Sequence, residues 1–187
     1  LKKKKPHVLY VKPDQSTLSA ERKLQDSAVY GVLQEYARSG LIERMFIVDN
    51  MKLEEALGDV PIINYYNNLN HLLVSTMHMT NIYSNTKAIE SSFFGLHETS
   101  RISTFGMMKL DSTQENLFFD LESPRDKTIF YAINKESLEN DGSLFRKIKQ
   151  QVKHFADENL NVSYKIFSTT YDDDYVYSMN YSSFIQK

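Results

Sequence analysis

The sequence predicts a mixed α/β fold: the end of one α/β domain over residues 1–61, a long central helix over 62–86, and a second α/β domain over 87–187. Three observations carry this. Short β-rich apolar runs at Val8–Val11 and Met45–Val48 flank a stretch with helical periodicity. No Gly or Pro interrupts Ile62 to Phe94, where apolar residues recur at steps of three and four. From Phe105 onward, β-rich segments alternate with helical ones to the end of the chain.

Taken in order, Val8–Val11 reads as a strand closed by Pro13. Ser16 to Arg38 carries Leu18, Leu24, Ala28, Val32 and Tyr36 near helical spacing and stops at Ser39-Gly40. Met45–Val48 is a second strand, ended by Asp49-Asn50, so the three segments make a β-α-β unit with parallel strands and a right-handed crossover. Lys52–Leu57 is a short helix closed by Gly58. The long helix is expected from Ile62 to about Asn85, roughly 35 Å of chain. Its apolar positions Ile62, Tyr66, Leu69, Leu72, Leu73, Thr76, Met77, Thr80 and Tyr83 make a wide stripe, which predicts burial on more than one side. Beyond it, Phe105–Leu110 reads as a strand, Thr113–Leu121 as a short helix and Thr128–Ile133 as a strand. Asp141-Gly142-Ser143 leads into a helix with Leu144, Ile148, Val152 and Phe155 on one face. Asn161–Ser168 and Tyr175–Phe184 are strands joined through Asp172-Asp173-Asp174, read as a solvated hairpin turn.

Composition narrows the function. The 187 residues hold 22 Lys+Arg against 24 Asp+Glu, 41% hydrophobic residues, 6 Gly, 4 Pro and no Cys. That is a globular composition, not a linker or a disordered tail. A net charge of −2 gives no footprint for direct nucleic-acid binding. The absence of Cys excludes disulfides, thiolate metal sites and a Cys nucleophile, and fits a cytoplasmic protein. No apolar run approaches the roughly 20 residues that cross a bilayer. Lys2–Lys5 precedes an apolar run too short for a signal peptide and reads as a solvated loop. The chain opens on Leu1, which predicts a processed start or a piece of something longer.

Familiar catalytic patterns do not occur. His71 and His78 fall on one helix face but two turns, about 10 Å, apart, too far to share one metal ion. There is no H-E-x-x-H, no G-x-S-x-G, no P-loop and no G-x-G-x-x-G. The Asp172–Asp174 run lacks the Gly and distant Glu of a calcium loop.

The stretch Ile47-Val48-Asp49-Asn50-Met51-Lys52-Leu53, running on to Leu57-Gly58, is similar to the N-D-K-L-L-x-x-L-G segment of FtsZ and closer to the I/L-D-N-x-K pattern of TubZ. Val11-Lys12-Pro13 resembles the V-x-K-P of the same superfamily, and Ser103-Thr104-Phe105-Gly106-Met107-Met108 its G-Y-A-M-M strand. By these motifs and the order of elements, the chain resembles a tubulin/FtsZ superfamily GTPase of the plasmid and phage TubZ branch, in its C-terminal portion. The resemblance implies the end of a Rossmann-like GTPase domain, the central helix and a C-terminal activation domain. It also implies GTP/GDP as cofactor, with Mg2+ accompanying the nucleotide and no metal ligand in this chain.

In this family a purine stacks on an aromatic ring at the start of the central helix while amides read its edge. The resemblance assigns these roles to Tyr66, Asn70 and Asn50, with Tyr66 and Asn70 one helical turn apart. Glu21 and Arg22 match residues that reach ribose or phosphate. Taken singly, Tyr66 also reads as core packing and the two Asn residues as caps or turns. In the family an acid in the loop after the central helix enters the neighbouring subunit's site and orients the attacking water. Glu90 in Ile89-Glu90-Ser91-Ser92-Phe93 matches it best and Glu98 is a second choice, although the loop lacks the N-x-D-x-x-D of FtsZ. Glu90 also reads as a solvated or helix-capping acid. The family's G-G-G-T-G-[ST]-G phosphate loop is absent, so a nucleotide-binding portion upstream is expected, and this chain alone is expected to be inactive. The implied partners are further copies of the chain, head to tail, and a DNA-bound adaptor that moves plasmid or phage DNA, with no direct nucleic-acid or membrane contact. The competing expectation is a non-catalytic α/β interaction module that binds no nucleotide.

Overall fold

The computed structural model describes residues 5–187; Lys2–Lys4 of the charged start lie outside them. Strand β1 (His7–Lys12) and strand β2 (Arg44–Asp49) pair in parallel over six positions, joined by helix α1 (Ala20–Arg38). The β-α-β unit expected from sequence is therefore present. Helix α1 begins later than Ser16: Ser19 caps it by accepting from the Arg22 N–H, and residues Gln15–Thr17 form a separate 3-10 turn. Helix α2 (Asn50–Leu57) follows, capped by the Asp49 carboxylate, which accepts from the Met51 N–H, and Gly58 ends it with φ +75°.

Helix α3 (Tyr65–Asn85) is the long helix. Its buried residues are Leu69, Leu73, Thr76, Thr80 and Tyr83, alternating steps of four and three. That is one seam, not burial on several sides: Val74 is 55% exposed and Ile82 is exposed as well. Ile62, placed in the helix by its spacing, lies before it and is almost fully exposed. Thr76 and Thr80 are tolerated in the seam because Thr80 Oγ1 donates to the Thr76 carbonyl of its own helix and Thr76 Oγ1 to Met107 Sδ.

Strand β3 (Glu90–Ser91) leads to β4 (Ile102–Met108), β5 (Glu115–Leu117) and β6 (Asp126–Asn134). Next come helices α4 (Lys135–Asn140) and α5 (Leu144–Phe155), then β7 (Asn161–Thr169) and β8 (Tyr175–Ser182). Two expectations are corrected here. The Thr113–Leu121 segment is not a helix: its central residues form β5, antiparallel to β4, because Leu117 and Phe118 go to the sheet. The Asp172–Asp174 segment is not a hairpin turn either. Strands β7 and β8 do not pair with each other; β6 lies between them, parallel to β7 and antiparallel to β8. The acidic segment thus crosses over β6, and Asp174 accepts from the Asn134 N–H at its end.

The strands form one sheet of order β1-β2-β4-β8-β6-β7-β3, with β5 beside β4. The seam between β2 and β4 holds two register pairs, Met45 with Ile102 and Phe46 with Ser103. Helices cover both faces. On one, α1 buries Tyr30 and Ala37 against Met45, Ile47 and Ile102, and α5 buries Leu144 and Ile148 against Ile129, Tyr131 and Ile133. On the other, Leu53 of α2 and Leu69, Leu73 and Tyr83 of α3 pack on Val48, Phe105, Phe130 and Phe167. The C-terminal residues close the structure: Gln186 and Gln34 of α1 exchange buried hydrogen bonds at 3.0 and 2.6 Å.

Candidate functional site

Two parallel strands delivering helices from their carboxyl ends create a ligand edge by topology alone. Here β1 leads to the start of α1, which carries Glu21 and Arg22 in its first turn, both exposed. Strand β2 leads to Asn50, the first residue of α2, half-buried. Asp49 does the capping, so the cap reading of Asn50 does not describe it.

Tyr66 and Asn70 lie in the first turns of α3, and both are exposed; Tyr66 is 71% exposed and is not core packing. What ties this corner to the strand ends is Tyr65. Its hydroxyl donates to Glu54 of α2 at 2.7 Å, and its ring meets Tyr66 edge-on with centroids 5.1 Å apart. The Glu54 hydrogen bond pushes the Tyr65 hydroxyl up to about 12, with the Asp14 carboxylate after β1 adding to the effect. The structure therefore brings Asn50, Tyr66 and Asn70 to one corner, with the loop after β1 beside it. The Tyr65–Glu54 brace was missed in the sequence; the Tyr65-Tyr66 doublet at a helix start was its only signal.

The corner is charged on both sides. Lys52 binds Glu55 at 3.0 Å and Asp120 at 3.1 Å, and these acids hold its ammonium above the usual lysine range. A hydrogen bond from Ser16 keeps the Asp14 carboxyl below the usual range. An exposed aromatic face, an amide one turn along and a second amide at a strand end can stack and read a flat heterocycle.

The acids of the second group lie elsewhere. Glu90 is in β3, at the outer edge of the sheet opposite Ile166 of β7, and is exposed. Glu98 is in the turn before β4, also exposed. Glu90 follows α3 and Tyr66 opens it, so the 21-residue helix separates the two groups by about 30 Å. One copy of this chain does not bring them together. The Glu90 loop is pinned rather than loose: Ser92 bonds to both the carbonyl and the N–H of Tyr164, and Phe93 lies under the Lys165 ammonium at 4.7 Å. Phe94 beside it is 97% exposed.

No protein-family model matches the sequence, and no curated protein does. Solved structures do. An empty FtsZ dimer from M. jannaschii superposes with a TM-score of 0.64 at 9% identity, over 94% of this chain and 54% of that one. GDP-form protofilaments of TubZ from Bacillus thuringiensis serovar israelensis give 0.63 at 14% identity, over 94% of this chain and 55% of that one. CetZ from Methanosaeta thermophila gives 0.59 at 15%, over 93% and 51%. The fold is that of the C-terminal part of tubulin/FtsZ-like proteins. This chain spans about half the length of those structures. With FtsZ, CetZ and TubZ at similar scores, the tubulin/FtsZ-like fold is common ground among them and no branch stands out. Among the described residues no helix is long and apolar enough to cross a membrane.

Proposed function

We propose that this chain is part of a GTP-binding, filament-forming protein of the tubulin/FtsZ type, in which each subunit's nucleotide is hydrolysed with the help of the next. The observation that carries the reading is the placement of the two groups at opposite ends of α3. A base-type corner at Asn50, Tyr66 and Asn70 and an acid at Glu90 cannot meet within one copy, but a head-to-tail neighbour brings them together. The fold shared with FtsZ and TubZ structures supports it.

In this reading Tyr66 stacks on guanine, Asn70 and Asn50 hydrogen-bond its edge, and Glu21 and Arg22 reach toward ribose and phosphate. Glu90 accepts a hydrogen bond from the attacking water of the neighbouring site, with Glu98 the alternative acid. These residues fit the base and not the ion: no three Asp, Glu or His stand together among the described residues, so Mg2+ would be held mainly by phosphates and water. The remaining phosphate contacts would come from the portion that the matching structures have in addition to this one.

The domain division at 61/62 and 86/87 goes with this reading, as does its TubZ-like extension. That extension is a cytoplasmic filament that moves plasmid or phage DNA through a DNA-bound adaptor, without touching DNA or membrane itself. The test is GTP turnover and pelleting of the full protein that contains this chain. Glu90→Ala is expected to leave GTP-dependent filaments and lower turnover at least tenfold. Unchanged turnover in Glu90→Ala with loss in Glu98→Ala would move the role to Glu98. Absence of guanine-dependent pelleting would favour an interaction module that binds no nucleotide.

A further inference from the structure

A second concavity, remote from the Tyr66 corner, lies between the C-terminal half of α3 and the sheet where β2 meets β4. Its volume is about 630 Å³, within the usual range for a small-molecule site. Its floor is a shelf of three rings across three adjacent strands. His7 stacks on Phe46 at 5.9 Å, and Phe46 on Phe105 at 4.8 Å. Val74 and Met77 of α3 face this shelf from the other side. A slot with an aromatic floor and an aliphatic roof favours a flat apolar body.

One charge breaks the apolar lining. Arg44 sits on the same face of β2 as Phe46, and its guanidinium lies 4.8 Å from the Tyr181 ring. Its Nε is buried and has no hydrogen-bond partner. None of the ion pairs among the described residues involves it. An unmatched guanidinium in an apolar slot is costly unless an anion fills its donors. His7 and His78, from opposite walls, and Asn81 on α3 add further hydrogen-bonding groups at the rim.

We propose that this cavity binds an organic anion with a flat apolar body, its acidic group on Arg44 and its body on the His7–Phe46–Phe105 shelf. Such an occupant touches β1, β2, β4 and α3 together, so it clasps the short β2–β4 seam. The proposal stands apart from the nucleotide reading and survives its failure.

The test uses two fluorescent probes of like shape: 8-anilinonaphthalene-1-sulfonate, an anion, and N-phenyl-1-naphthylamine, which is neutral. The native chain, monitored by near-ultraviolet circular dichroism, is expected to bind the sulfonate saturably at one site and more tightly than the amine. Arg44→Met keeps the aliphatic stem and is expected to weaken the sulfonate about tenfold or more while leaving the amine within about twofold. Asn81→Asp, an exposed helix position that leaves the core untouched, sets a carboxylate at the rim and is expected to weaken only the sulfonate. Ser84→Trp is expected to block both probes. Sulfonate affinity unchanged in Arg44→Met, or unchanged in Asn81→Asp should Arg44→Met not fold, overturns the proposal. So does equal weakening of both probes, or no saturable sulfonate site in the native chain.

Discussion

Gly106 is the position where one added methyl group should do the most damage. It is buried in the middle of β4, paired with Ser178 of β8 on one side and Leu117 of β5 on the other. A Cβ built there lies 2.5 Å from Ser178 Oγ, 2.8 Å from Glu115 Oε1 and 3.0 Å from Leu117 Cδ2. Ordinary contact is nearer 3.5 Å, so the first two atoms must retreat by much of an ångström. Neither is free to do so. Glu115 is ion-paired with Lys127, their side chains are 7% and 2% exposed, and Ser178 donates to the same carboxylate. Lys127 is held in turn with its ammonium 4.2 Å from the Phe155 ring. Burial lowers the Lys127 ammonium's pKa, and Glu115 offsets part of that. Overpacking of a strand centre costs about 1–3 kcal/mol, and swinging Glu115 away strands a buried charge, worth about 3–5 kcal/mol. A mixture of the two puts Gly106→Ala at about 2–4 kcal/mol, or roughly 5–15 °C in Tm for a chain of this size. Urea unfolding read by tyrosine fluorescence measures it, with Ser178→Ala alone and combined. Removing Oγ relieves the closest contact, so the double variant should lose less than the sum of the singles. A loss under about 0.5 kcal/mol would refute the close approach.

Other consequences are simpler to check. Leu73→Ala, in the buried seam of α3, should cost about 2–4 kcal/mol in chemical denaturation, whereas Val74→Ala one residue on should cost under about 0.5 kcal/mol. Asp141 is held down to about 2 by hydrogen bonds from Ser143 and Lys147, below its ordinary 3.8. The folded chain binds that proton less readily, so the stabilisation is present above about pH 4 and fades as pH falls through 2. Asp141→Asn should therefore lower Tm at neutral pH, with the gap closing between pH 4 and 2. Glu54→Gln should bring the Tyr65 ionisation down from about 12 toward 10 in a tyrosinate absorbance titration.

The alternation of β-rich runs and helical periodicity made most of the fold legible, because side chains such as Met45, Ile47 and Val48 can be buried only one way. Local pattern failed where tertiary pairing decides. Thr113–Leu121 has no helix-breaking residue, yet Leu117 serves β4 as an edge partner. The two last strands look like a hairpin until β6 is seen between them, a fact set by register across more than thirty residues of separation. The wide apolar stripe of α3 counted Ile62 and Tyr66, which are exposed at its start. At the candidate site the sequence pointed to Asn50, Tyr66 and Asn70 through resemblance, and the strand ends place them together. It gave no sign of the Glu54–Tyr65 brace, which joins residues eleven apart across a loop. Arg44 also escaped notice, since one arginine at a strand start carries no pattern.

The central claim is that the base corner of one subunit is completed by the Glu90 loop of the next. Mixing two full-length variants tests it most directly: Tyr66→Ala, which should not hold guanine, and Glu90→Ala, which should hold it without hydrolysis. Each should be slow alone. In mixed filaments a native Glu90 loop meets a native base corner, so GTP turnover should rise well above the sum of the two and pass through a maximum near equal proportions. Turnover that stays at the sum across all mixing ratios, while both variants co-pellet, would contradict it.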